Sequence, residues 1–257
     1  MPTTSVSTTD PSEIDASSSD GASPTHRHVV SFVRRGARMT SSQQRWLSTW
    51  GPRWIIDMGW SPLTPSPEAR PLDLDAIFGR GGPLVVEIGI GHGESIVARG
   101  RAWPQARCLG FEVFDAALAS TLGKIAAAQI DNVRLLKADA VWGLTTLLAP
   151  ASIDELLVFF PDPWPKKRHH KRRLLSPAFV ALAATRLRPG GVIRVATDWD
   201  DYARAITEAF ATEPRFHLES TDRFAGRPVT KFEARALAAG RTIHDFAFRL
   251  QTEDDHG

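Results

Sequence analysis

Apolar residues come in short runs along this chain, each followed by a longer amphipathic stretch. Leu84 to Ile88, Arg107 to Val113, Val133 to Lys137, Ile153 to Phe160 and Val192 to Ala196 have the length and composition of buried strands. Between them, Glu94 to about Ala102, Asp115 to about Ile130 and a short stretch near Leu144 predict helices. Ser176-Pro177 places a capping hydroxyl and a first-turn proline at another helix start, and Pro189-Gly190-Gly191 predicts its end. Thr242 to Leu250 alternates as a late antiparallel strand would. Strands separated by helices predict an α/β fold with a doubly wound, mostly parallel sheet.

The flanks differ from this body. Residues 1–27 are rich in Ser, Thr, Asp and Pro, with too few apolar side chains to offset ordering entropy, so a disordered tail is expected there and a single domain over 28–257. Val29 to Trp50 is basic and aromatic; it predicts either a second element touching nucleic acid or a helix packed across the domain by Trp46 and Trp50. Ser61 to Pro71, with four prolines, predicts a loop.

At 257 residues and 42% hydrophobic content the chain can build one large core. The single cysteine, Cys108, excludes an internal disulfide and fits a reducing compartment. No apolar run approaches the roughly 20 residues of a membrane span, and the N-terminus lacks a signal-peptide pattern. A cytoplasmic protein that does not use a membrane is therefore expected. No His/Cys cluster has metal-ligand spacing, so no metal is expected, and nothing points to an obligate protein partner.

Charge alters the picture locally. Net charge is only +2, yet Lys166 to Arg173 carries +6, which leaves −4 on the remainder. This cluster follows Phe160-Pro161-Asp162-Pro163-Trp164-Pro165, a proline-stiffened turn holding one carboxylate and one indole after an apolar strand. A carboxylate and an aromatic ring beside concentrated cations suggest a site for a planar base on a polyanion.

Glu87-Ile88-Gly89-Ile90-Gly91-His92-Gly93 closes the first predicted strand and opens a helix. A dinucleotide loop of the form G-x-G-x-x-G needs glycine where Glu94 stands, and a carboxylate there is a poor neighbour for pyrophosphate. The spacing E-x-G-x-G-x-G instead looks like the S-adenosylmethionine loop of class I methyltransferases. That ligand has no phosphate and carries cationic sulfonium and amino groups, which suit Glu87. Glu112 ends the second strand, where it can accept ribose hydroxyls, and Asp139 follows the third, within reach of an adenine amine. Both also have the position of helix caps.

Together these residues resemble the bacterial tRNA (guanine-N7-)-methyltransferase family. The likeness runs from about Ser31 to Arg249 and rests on Glu87 to Gly93, on Pro161 to Arg173, and on Thr230-Lys231-Phe232-Glu233 with Arg235. It implies a Rossmann-like, seven-stranded class I fold and transfer of the methyl of S-adenosyl-L-methionine to N7 of the variable-loop guanine of tRNA. By the same resemblance Glu87, Gly89, Gly91, Gly93, Glu112, Asp139 and Asp162 contact the cofactor, Asp162 being the active-site carboxylate. Lys166, Asp198, Thr230, Lys231, Phe232 and Glu233 contact substrate, and Arg168, His169, His170, Lys171, Arg172 and Arg173 bind RNA. The chain departs from the family pattern at Ala236, where glycine is usual, and at Phe114, where a polar residue is usual. Thr230-x-x-Glu233 also has the form of a helix capping box, and Asp198 that of a helix cap. Two other classes compete: a methyltransferase acting on another base, and a non-catalytic RNA-binding protein with a vestigial cofactor fold.

Overall fold

A computed structural model describes residues 38–59 and 68–252. The expected tail over 1–27, the basic stretch from Val29 to Ala37 and most of the predicted loop from Ser61 to Pro71 lie outside the described residues.

Seven strands form one sheet: β1 (Leu84–Ile88), β2 (Arg107–Glu112), β3 (Val133–Lys137), β4 (Ile153–Phe159), β5 (Leu187–Thr197), β6 (Phe216–Ser220) and β7 (His244–Leu250). Their order is β3-β2-β1-β4-β5-β7-β6. The first five run parallel, and β7 lies antiparallel to both β5 and β6. The expected doubly wound sheet with a late antiparallel strand is thus present. Strand order reverses between β1 and β4, which opens a crevice at their carboxyl ends.

Parallel strands covered on both faces read as continuous apolar runs, and all five residues of β1 are buried. One face, with Leu84, Val86, Ile88, Leu156 and Val158, packs on α2 (Leu74–Phe78), α5 (Ala140–Leu147), α6 (Pro177–Arg186) and α7 (Asp200–Ala211). The other, with Val85, Leu135 and Leu157, packs on α3 (Glu94–Ala102), α4 (Asp115–Ala128) and Trp54 of α1 (Ser41–Trp54). A capping box between Thr40 and Gln43 starts α1. The Gln43 amide donates to Ala116 O and Ser120 Oγ, so this helix docks on α4, and Trp46 packs against Gly123. Of the two expectations for this segment, the packed helix is what forms over Ser41–Trp54.

On the half of that second face built by β4, β5 and β7, the cover is the connection between β6 and α8 (Lys231–Ala238). Buried charges hold it. Glu155 accepts from Arg99 of α3 at 2.6 Å and from Arg194 of β5 at 2.7 Å. Phe224 lies over the Arg194 guanidinium, 4.3 Å from its ring centre. Arg227, only 1% exposed, donates to Glu233 at 2.5 Å and to both oxygens of Asp245 at 2.8 Å.

Two elements differ from the sequence expectation. Helix α6 stops at Arg186, before Pro189-Gly190-Gly191, because Leu187 already pairs with Ile153. Between that pair and Glu155↔Val192 the register shifts, so the glycines bend the start of β5 rather than end a helix. The short edge strand β6 was not expected; only Phe216 of its five residues is buried, which leaves no clear alternation.

Replacing Arg227 by methionine leaves Glu233 and Asp245 buried without a cation between them. Removing one partner from a buried ion pair costs about 3–5 kcal/mol. Urea denaturation of Arg227→Met should show that loss, and an unchanged midpoint would mean the two carboxylates tolerate each other.

Candidate active site

The carboxyl ends of β1, β2, β3 and β4 surround a cavity of about 370 Å³. Its floor is the glycine loop after β1. Gly89, Gly91 and Gly93 have φ of 68°, 53° and 80°, a backbone region that side-chain-bearing residues resist. A Cβ on Gly93 would lie 2.5 Å from Thr121, so that glycine lets the loop close on α4. Nothing lies within 4 Å of a Cβ at Gly89 or Gly91. There the requirement is the turn itself, and the open space faces the cavity.

Carboxylates line this cavity. Glu87 is 3% exposed, and its Oε2 has no hydrogen-bond partner among the described residues. Burial pushes its carboxyl well above the ordinary range, helped by the nearby Glu94 and Glu112. Glu112 is also raised, first by burial, although three backbone N–H groups stabilise its charge. Val113 and Phe114 donate to Oε1 at 2.7 and 3.1 Å, and Gly91 donates to Oε2 at 3.0 Å. Asp139 lines the wall while its Oδ1 caps α5, accepting from Trp142 N at 3.0 Å. Capping and cavity lining therefore coexist at Asp139.

Asp162 lies at the rim, exposed, on the turn that follows β4. That turn is bounded by two non-glycine residues at positive φ, Phe160 at 52° and Trp164 at 44°. Such conformations cost about 1–3 kcal/mol each and persist only where surrounding contacts impose them. Phe160 N–H donates to Ala196 O at 2.8 Å, which ties the turn to β5.

The cationic run then winds into one short 3-10 helix, Lys167–Arg172. Three residues per turn put i and i+3 on one face. His169 and Arg172 share the face against Trp164, the His ring edge-on at 5.8 Å and the guanidinium 4.8 Å from the indole centre. His170 and Arg173 share the face toward Asp201. Lys166, Lys167, Arg168, Lys171 and Arg172 are exposed. Arg173 departs from the sequence expectation, which groups it with the RNA-facing cations. It is 8% exposed and turns inward, because Asp201, Pro163 O and the Tyr202 ring together offer its guanidinium better partners than water does. The Arg173 guanidinium in turn holds the Asp201 carboxyl below its usual range. His169 is shifted down by desolvation and by the four neighbouring cations.

The remaining expected substrate residues divide. Thr230 and Phe232 line the cavity, and Phe232 is 59% exposed at its mouth. Thr230 Oγ1 also accepts from Glu233 N at 3.2 Å and so caps α8. Glu233 turns inward to Arg227 and Arg223, away from the cavity, and Lys231 points to solvent. Asp198 pairs with Arg241 at 2.6 Å and does not line the cavity. Gly93 and Lys166 also lie outside the lining. Ala236 sits within α8 without positive φ, so this helix has no need of glycine there. Phe114, the other departure, lines the cavity beside Glu112.

Sequence reasoning missed Arg227, Asp201, Tyr202 and the Glu155 triad. A lone charge carries no signal of burial when its partners lie tens of residues away. Among the described residues, no group of three or more His, Cys, Asp or Glu is placed to hold a metal ion, and no helix is long and apolar enough to cross a membrane.

Comparison with known proteins agrees with this geometry. A family model described as "Putative methyltransferase" matches residues 81–246. A tRNA (guanine-N(7)-)-methyltransferase of Cutibacterium acnes is 46% identical over 94% of this chain and 90% of its own. The chain belongs to the tRNA (guanine-N7-)-methyltransferase family. Another relative of the same description, from Bordetella pertussis, is 43% identical over 88% of this chain and 87% of its own. Among solved structures, the 16S rRNA methyltransferase KamB superposes with a TM-score of 0.52 at 19% identity, covering 69% of this chain and 94% of its own. That likeness is one of fold.

Glu87 yields a pH prediction. Its carboxyl is raised in the folded protein well above the ordinary glutamate range, so the folded state binds the proton more tightly than the unfolded state does. Ligand-free stability from this group is fully present below about pH 4.5 and declines as pH rises through the raised value. Glu87→Gln should remove that decline, making the variant the more stable of the two at neutral pH in thermal melts. A variant less stable than the parent at pH 7 and equal at pH 4 would reverse the sign.

Proposed function

We propose that this protein transfers the methyl of S-adenosylmethionine to N7 of the variable-loop guanine of tRNA. The observation that carries the reading is the adjacency of two opposite electrostatic environments across the Phe160–Pro165 turn. An acidic cavity lies on one side, and the exposed face of a cationic helix lies on the other. The relatives' shared description supports the choice of base and RNA.

The cavity residues fit the cofactor. Glu87, with an unpartnered buried oxygen, suits an ammonium group. Glu112 Oε2 accepts one backbone N–H and keeps a lone pair for a ribose hydroxyl. Asp139 caps through Oδ1 and keeps Oδ2 for an exocyclic amine. When bound, the cofactor supplies an electrophilic methyl on a sulfonium. No pyrophosphate is accommodated by this set of carboxylates.

Guanine N7 is an exposed lone pair with no proton to lose, so the chain need not provide a general base. Its work is alignment at near-attack distance. Asp162, at the cavity rim, accepts from the N1–H and N2–H₂ edge that distinguishes guanine from adenine. The same carboxylate favours the positive charge that develops on the ring. Asp198 joins the base-binding edge only by sharing its carboxylate with Arg241. Phe232, exposed at the mouth, offers a ring for stacking. Trp164 is already covered by Arg172 and His169, so it supports the helix more than a base. The exposed cations contact phosphates without reading sequence.

Three tests follow from this reading. With purified protein, unmodified tRNA transcript and methyl-labelled cofactor, label should appear in N7-methylguanosine and vanish when the variable-loop guanine is replaced; label in another nucleoside overturns the substrate. Asp162→Ala should abolish transfer while cofactor affinity is kept, and wild-type turnover would remove Asp162 from the mechanism. Neutralising Lys171 and Arg172 should weaken tRNA binding and reduce the salt slope by roughly 0.7–0.9 per cation; an unchanged slope would mean this face is turned away from RNA.

A further inference from the structure

The turn that carries Asp162 has few backbone donors of its own. Pro161, Pro163 and Pro165 have no N–H, so three of its five backbone donors are missing. Phe160 just before it and Trp164 within it stand at positive φ. Contacts from outside help to fix it, and one comes from an unexpected place. Arg173 Nε donates to the carbonyl of Pro163, the residue after Asp162, at 2.9 Å. Its Nη2 pairs with Asp201 at the start of α7 and lies 3.1 Å from His170 Nε2. The guanidinium carbon sits over the Tyr202 ring, 4.9 Å from its centre. Tyr202 is itself fully buried, and its hydroxyl accepts from Leu175 N at 3.1 Å, which fixes the chain just beyond Arg173.

We propose that Arg173 is a positioning residue for the methyl-transfer step, holding the Asp162 turn against α7, and not a phosphate contact. It is the one buried cation of the six in the run, and it lies on the inward face of the 3-10 helix with His170. Its role needs a fork. One nitrogen reaches a carbonyl while another reaches a carboxylate, and the guanidinium carbon lies over an aromatic ring. Lysine keeps the charge but has a single donor centre and no plane. The proposal rests on the assignment of Asp162 to the reacting centre, and acts through it.

The test compares Arg173→Lys, Lys171→Ala and Asp162→Ala in the full chain. Single-turnover transfer at saturating tRNA, tRNA affinity and its salt slope, and a thermal melt are measured for each. Arg173→Lys should lose about 10²-fold in single-turnover rate, the scale of a misplacement near 1 Å, with affinity and salt slope unchanged. Lys171→Ala, in the solvent-facing row, should show the opposite signature, weaker binding and a lower slope. Weaker tRNA binding and a lower slope in Arg173→Lys, with the saturating rate intact, would make Arg173 a phosphate contact and overturn the proposal. An unchanged rate in Arg173→Lys beside an inactive Asp162→Ala overturns it too, while leaving the reading of Asp162 standing. Wild-type rate in Asp162→Ala overturns both. Should Arg173→Lys fail to fold, Asp201→Asn probes the same latch from its exposed end. That variant should lose rate without weakening tRNA binding, and a wild-type rate there refutes the latch.

Discussion

Three prolines in five positions make the turn after β4 depend on its surroundings, and the arrangement of the site follows from that dependence. Prolines restrict the backbone yet remove the donors that would close a turn from within. The grip is supplied by Ala196 of β5, by Arg173, and by the pair of side chains that close on Trp164. Each comes from a segment fixed elsewhere, in the sheet or on α7. The proline turn and the cationic helix are thus one object. The cations must follow the turn directly in sequence, because two of their residues fold back to hold it.

The site separates two charge environments that would defeat each other if mixed. Inside the cavity Glu87, Glu112 and Asp139 converge, and burial raises the first two. A cavity of this sign repels phosphate and accepts a cation. Outside, five exposed Lys and Arg side chains make a field suited to a polyanion. Asp162 stands at the boundary. Moving a methyl group across that boundary carries positive charge out of the acidic cavity and onto a base beside one carboxylate. A buried Glu87 oxygen with an unmade hydrogen bond is a cost of the kind expected at a functional centre.

Much of this was legible in the chain. The five parallel strands show as apolar runs because both their faces are covered, and the carboxylates at their ends follow from the strand limits. Helix α7 and strand β6 were less visible. Helix α7 was expected only as the element that Asp198 would cap, and β6 exposes Leu218 at an edge. The stop expected at Pro189-Gly190-Gly191 was misplaced because a strand pair formed first, at Leu187. What the sequence hides is the destination of charges. Glu155 is reached by Arg99 and Arg194, and Asp245 by Arg227, from 56, 39 and 18 residues away. In sequence each of these looks like an ordinary surface charge.

Helical geometry explains why motif residues do not share one task. Successive residues of an α-helix are rotated by about 100°, so four neighbours cannot all face one ligand. At the start of α8, Thr230 and Phe232 meet the cavity while Glu233 turns into the protein and Lys231 out. The 3-10 helix divides its run with a period of three instead. One row staples Trp164, a second latches Asp201, and a third, with Arg168 and Lys171, stays in solvent. A block of cations that looks uniform in sequence is therefore partitioned by pitch. The partition leaves a solvent-facing row whose geometry is set by two rows anchored on Trp164 and on Asp201. Loss of an inward cation and loss of an outward one are then different experiments on the same eight residues.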